Sequence, residues 1–179
     1  MSSFTQHYRS LFDLLGYPLA TRSAVSKQRI ADAEARLHIT APAALRDYYL
    51  VAGNERRFNQ CFNRLLALER WSVDRKRLLF MEENQAMLWW GVSLRNPSSQ
   101  DPNISQGIND DPIRWHSEAR RCSAFLQFMI HYHAVNGGLP YSGRANVPDD
   151  TEYRLDEHGW KSYGRVGSVS AYSRPRQVI

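Results

Sequence analysis

The sequence predicts an α+β fold. It reads as a single domain over residues 1–166, with a mixed or antiparallel sheet of about 4–6 strands packed against N-terminal helices and one long helix of the C-terminal half. Three observations carry this. Apolar residues recur at three- and four-residue steps through the first third of the chain. Past Asn54 the pattern breaks into short apolar runs of strand length. From Cys122 a broad helical stripe returns. A chain of 179 residues suits one hydrophobic core.

Phe4, Tyr8, Leu11, Phe12 and Leu15 form the stripe of a first helix, which Gly16 and Pro18 stop. A second helix begins near Ser26 and carries Ile30, Ala33, Glu34 and Leu37. Arg29 stands where a capping box needs Glu or Gln, so only the N-cap half of that signal is present. Pro42 suits the first turn of a third helix, with Leu45, Tyr48, Tyr49 and Ala52 as its apolar positions. Gly53-Asn54 closes it, because both residues tolerate positive φ.

Leu65–Leu68, Leu78–Met81 and Met87–Leu94 then read as strands, the last two joined through Asn84-Gln85 as a hairpin. Arg95 to Pro112 reads as one long irregular segment, of the kind that is often functional. Ile113-Arg114-Trp115 is a further strand. Cys122, Phe125, Leu126, Met129, Ile130 and His133 follow helical spacing, and Phe128 and Tyr132 widen the stripe, so this helix is well buried. Gly137-Gly138 ends it. Tyr153–Leu155 and Trp160–Tyr163 read as a final hairpin, and 167–179 as a basic, weakly structured tail.

Composition narrows the function. Apolar residues make up 42% and aromatics 12%, which marks a globular rather than a disordered chain. There is no apolar run long enough for a membrane span, and Met1–Arg9 lacks the order of a signal peptide, so the expected location is cytoplasmic. Cys61 and Cys122 fit that compartment as buried free thiols. The net charge of +5 raises nucleic acid as a partner. However, four of the 23 basic residues (Lys161, Arg165, Arg174, Arg176) and none of the 18 acids fall after His158. The excess sits in the tail, which argues against a nucleic-acid-binding face.

Chemical motifs are few. The chain has no GxxxxGK[ST], GxGxxG or GxSxG. His131 and His133 stand two apart on a helix and point to different sides, so they do not chelate one ion. Neither a metal nor a cofactor is expected. Glu82 and Glu83 would be the candidate acid/base pair, but neighbours on a strand face opposite ways, and a strand end is ordinarily solvated. Trp89 and Trp90 alternate likewise: one belongs to the core, and the other either serves packing as well or stands at the surface, where tryptophan is an interface anchor.

Ile30–Ile39, Ala41-Pro42, Leu45–Tyr49 and Ala52-Gly53-Asn54 resemble the opening signature of the SMI1/KNR4 (SUKH) superfamily. Leu79-Phe80, Glu83-Asn84-Gln85, Trp90-Gly91-Val92, Asp111-Pro112 with Trp115, and Phe125-Leu126 with Met129 continue it in order, over residues 26–135. The resemblance implies an α+β fold and a non-enzymatic role, with no catalytic residue to carry over. Bacterial members are taken as immunity proteins that bind and neutralise a toxin; fungal members are regulatory scaffolds. The implied partner is therefore a protein, a cognate toxin domain first and a host protein second. The candidate partner face joins Glu82, Glu83, Asn84, Gln85 and Trp89 to Asp101, Asp110 and Asp111. Two features depart from the family. Ala86 stands where glycine often follows Glu-Asn-Gln, and the near-neutral body lacks the acidity that would speed capture of a nuclease toxin.

Overall fold

The computed structural model describes residues 3–140, 151–166 and 169–179. Met1 and Ser2 of the N-terminal stretch, and Gly167 and Ser168 at the head of the tail, lie outside the described residues. The helices come first. α1 (Ser3–Leu14) buries Tyr8, Leu11 and Phe12 along the expected stripe. α2 (Lys27–Leu37) starts at Ser26, whose side chain accepts a hydrogen bond from the Arg29 N–H. α3 (Ala43–Ala52) has Pro42 as its N-cap. Gly53 ends α3 with φ −58, not the positive φ expected of it. Space is what requires glycine here, because a Cβ would lie 2.7 Å from Val25 Cγ2 and 2.8 Å from the Tyr49 carbonyl oxygen. α4 (Arg56–Asn59) is a single turn.

Six strands follow: β1 (Arg64–Leu65), β2 (Ser72–Asp74), β3 (Arg77–Glu82), β4 (Leu88–Ser93), β5 (Ile104–Ile108) and β6 (Arg114–Ala119). They form one antiparallel sheet in the order β1-β3-β4-β5-β6, and β2 follows β1 along the same edge of β3. Of the expected strand Leu65–Leu68 only Leu65 lies in β1, and Leu68 opens a short 3-10 turn. β5 corrects the reading of 95–112 as irregular. Its residues, Ile104-Ser105-Gln106-Gly107-Ile108, carry little strand propensity. Hydrogen bonding to β4 and β6 on its two sides decides the conformation instead.

α5 (Cys122–His133) packs under the inner face of the sheet, with Phe125 against Phe80 and Trp90, both at 6.0 Å between ring centroids. It also meets α1 and α3, which explains its nearly all-round burial. The three buried tyrosine hydroxyls of this core are paired. The Tyr8 hydroxyl donates to the Ala44 carbonyl (3.0 Å) and that of Tyr48 to Asn59 Oδ1 (2.8 Å). Tyr49 donates to the Leu66 carbonyl (2.6 Å) and accepts from Trp71 Nε1 (2.9 Å). Burial pushes all three hydroxyls above the usual phenol range, which keeps them as donors.

The C-terminal part departs from the sequence reading. Residues 153–155, expected as a strand, belong to α6 (Thr151–Glu157). β7 (Lys161–Val166) pairs with β8 (Val169–Arg174), and β8 with β9 (Gln177–Val178). Most of the supposed tail is thus a small sheet on α5. Its fully buried positions are small, Ala171 and Ser173, and leave a weak hydrophobic signal, while Tyr163, Val166 and Val178 pack there partly buried. Polar ties complete the contact: Gln127 Nε2 donates to the Tyr163 carbonyl (2.9 Å), and His131 Nε2 lies 3.2 Å from Ser173 Oγ. Among the described residues, no helix is long and apolar enough to cross a membrane.

Candidate functional site

The β3–β4 turn is built by its own residues. The Glu83 N–H donates to the Leu88 carbonyl and the Ala86 N–H to the Glu83 carbonyl, both at 2.9 Å. Glu83 Oε2 folds back to accept from the N–H groups of Gln85 (2.9 Å) and Met87 (3.4 Å). The Asn84 carbonyl accepts from Arg64. Ala86 takes a left-handed φ of +58. Gln85 and Met87 face solvent, Met87 with 61% of its surface exposed.

Glu82 is not the solvated carboxylate its position suggested; only 2% of it is exposed. Arg70 forks onto it, Nη1 to Oε1 and Nη2 to Oε2, both at 2.7 Å, and Arg64 Nη1 stands 3.7 Å away. Two arginines from other segments lie across the strand end, so Glu82 braces the turn from within rather than facing a partner. The tryptophans divide as their alternation requires. Trp90 is core at 4% exposure, and Trp89 is half-buried on the opposite face, level with Glu82 and Gly107.

The acids separate into two places. Asn109, in the β5–β6 turn, donates from its N–H to the Met87 carbonyl (2.9 Å) and from Nδ2 to the Ala86 carbonyl (2.8 Å). The two turns are thereby clasped, with exposed Asp110 and Asp111 beside Gln85 and Met87. Asp110 pairs with Arg114 at 2.6 Å. Asp101 sits before the other end of β5, so the whole strand, roughly 16 Å long, separates it from this cluster. Its carboxylate caps α5, accepting from the Ser123 N–H (2.7 Å) and hydroxyl (2.5 Å). Met87 and Asn109 are the site residues that sequence reasoning missed. An apolar residue in a polar turn was the available signal for Met87.

Between the inner sheet face, α5 and the C-terminal sheet lies a cleft of about 430 Å³, with Asn63, Glu83, Trp90, Gln106, Glu118 and Tyr132 among its walls. Burial raises the Glu118 carboxyl, opposed by a long hydrogen bond from Trp90 Nε1 (3.4 Å). A larger depression of about 740 Å³ lies between α2 and the 94–99 loop. Its carboxylate, Glu34, is already held by the Ala41 N–H (2.8 Å) and Arg46 (2.6 Å).

The outer sheet face carries Trp115. Its ring crosses Gly91 and Gly107, its Nε1 donates to Asp74 Oδ2 (2.6 Å), and Arg77 stacks 5.1 Å above it. The histidines of α5 and the two cysteines are dispersed. His131 stacks on Tyr163 at 4.3 Å, whereas buried His133 turns to Phe58. Cys122 is buried and Cys61 only half-buried, its Sγ donating to the Phe58 carbonyl (3.3 Å); burial raises both thiols. Among the described residues, no group of three or more His, Cys, Asp and Glu is placed to share a metal ion. No family model, curated protein or solved structure matches the chain.

Proposed function

We propose that this protein is a non-enzymatic immunity protein, acting in the cytoplasm by stoichiometric capture of a toxin domain. One observation supports this above the rest: the two clasped turns present exposed Met87 within a polar rim of Gln85, Asp110 and Asp111. A flexible apolar side chain inside a polar rim suits a protein interface. The rigid sheet behind it limits the ordering cost of binding. The motif order shared with the SMI1/KNR4 superfamily points to the same role.

Co-expression with the toxin candidate encoded next to it tests the reading. The expected result is protected cells and a one-to-one complex on gel filtration. Met87→Asp combined with Asp111→Lys is expected to weaken the complex at least about tenfold without changing the melting temperature. Unprotected cells and no complex would sink the proposal. A complex formed only with a host protein would favour the scaffold role instead.

A further inference from the structure

We propose that the cleft between the inner sheet face, α5 and the C-terminal sheet is a binding site for a guanidinium or ammonium group on an apolar stem, with Glu118 as its charge partner and Asn63 at its floor. Asn63 is only 4% exposed. Its Nδ2 reaches nothing better than Met129 Sδ at 3.9 Å, and its Oδ1 has no hydrogen-bond partner. A buried amide left unpaired is costly, and such groups are rare in folded proteins. Asn63 lines the cleft, so a donor-rich head that enters it supplies the missing partner.

Glu118 completes the charge logic. Its carboxylate meets only the Trp90 indole N–H, at 3.4 Å, and no cation among the described residues stabilises it. Burial therefore disfavours its charged form, a penalty that a bound cation offsets. Gln106 is the cross-strand partner of Trp90 on the same face and adds an amide oxygen. The charged side chains lining the cleft are Glu83 and Glu118, both acids, which excludes an anion. The aromatic walls, Phe62, Trp90 and Tyr132, attract a cation through their ring faces, while Leu88 and Met129 accept a stem. Guanidinium offers the most donors for this set of acceptors. The cleft shares only Glu83 with the turn face, so it stands or falls apart from the toxin reading.

The same chemistry arises from a free organic cation or from an arginine or lysine side chain of a partner. Calorimetric titration with propylguanidinium, with its neutral isostere propylurea, and with the peptide Gly-Arg-Gly distinguishes them. Saturable binding of propylguanidinium but not propylurea is expected. Glu118→Gln keeps the Trp90 acceptor and the fold by circular dichroism, and should bind about tenfold or more weakly. Asp32→Asn, an exposed acid on α2, should bind as the parent does. Tighter binding of the peptide assigns the source to a partner side chain; equal or weaker binding assigns it to a free cation. Equal binding of propylurea, an unaltered Glu118→Gln, a similar loss in Asp32→Asn, or no saturable binding of any probe would each overturn the proposal.

Discussion

Ala86 holds the β3–β4 turn at φ +58, a region where an L side chain costs about 1–2 kcal/mol. Glycine there relieves the strain but gives back roughly 0.5–1 kcal/mol of chain entropy. Ala86→Gly is therefore expected to raise stability by about 0.5–1 kcal/mol, read from the urea midpoint. A lower midpoint would show that the side chain contributes contacts outweighing its strain. The residues of the site were unequally legible in the sequence. The opposed faces of Trp89 and Trp90 follow from strand alternation alone. The burial of Glu82 does not, because Arg64 and Arg70 reach it from β1 and the turn before β2. Asp101 could not be told apart from Asp110 by composition, yet one caps a helix and the other lies in a turn.

Among the elements, β5 shows why a central strand escaped notice. Gly107 lies directly beneath Trp115, and a Cβ there would fall 2.6 Å from Ile113 Cγ2 and 2.9 Å from Trp115 Cζ3. Close approach of the indole demands glycine and so erases the apolar alternation by which strands are recognised. Gly107→Ala is expected to cost about 1–3 kcal/mol by overpacking, measured by denaturant unfolding. A cost near zero would mean that Trp115 and Ile113 move aside freely. α1, α2 and α3 were legible because each buries one periodic stripe, and α5 because it buries nearly all of itself. Of the C-terminal strands β7 was read in part, at Trp160–Tyr163, whereas β8 and β9 were not, since the fully buried residues of β8 are Ala171 and Ser173 and the docking is partly polar through His131.

For the whole molecule, two buried histidines on α5 tie stability to pH. Burial lowers His131, with the Gln127 carbonyl opposing, and lowers His133 to about 4, with the Phe58 backbone opposing. Both folded values lie below the unfolded value of about 6.5, so the unfolded chain takes up protons first. Their contribution is complete above about pH 7 and is lost as pH falls from 6.5 towards 4. For His133 the full loss is on the order of 3 kcal/mol. Unfolding free energies across this window should fall accordingly, and His133→Asn should flatten the slope while lowering stability throughout. An unchanged slope in that variant would assign the acid sensitivity to other groups.

The five tryptophans also stand in distinct surroundings. Trp71 is sealed against Tyr49, while Trp115 and Trp160 lie under arginines. Trp90 alone among them lines the cleft, with its indole N–H on the Glu118 carboxylate. A cation that draws that carboxylate away changes the polarity around one indole and leaves the others as they were. Occupancy is thereby written into the ultraviolet emission of the native chain, with no dye attached.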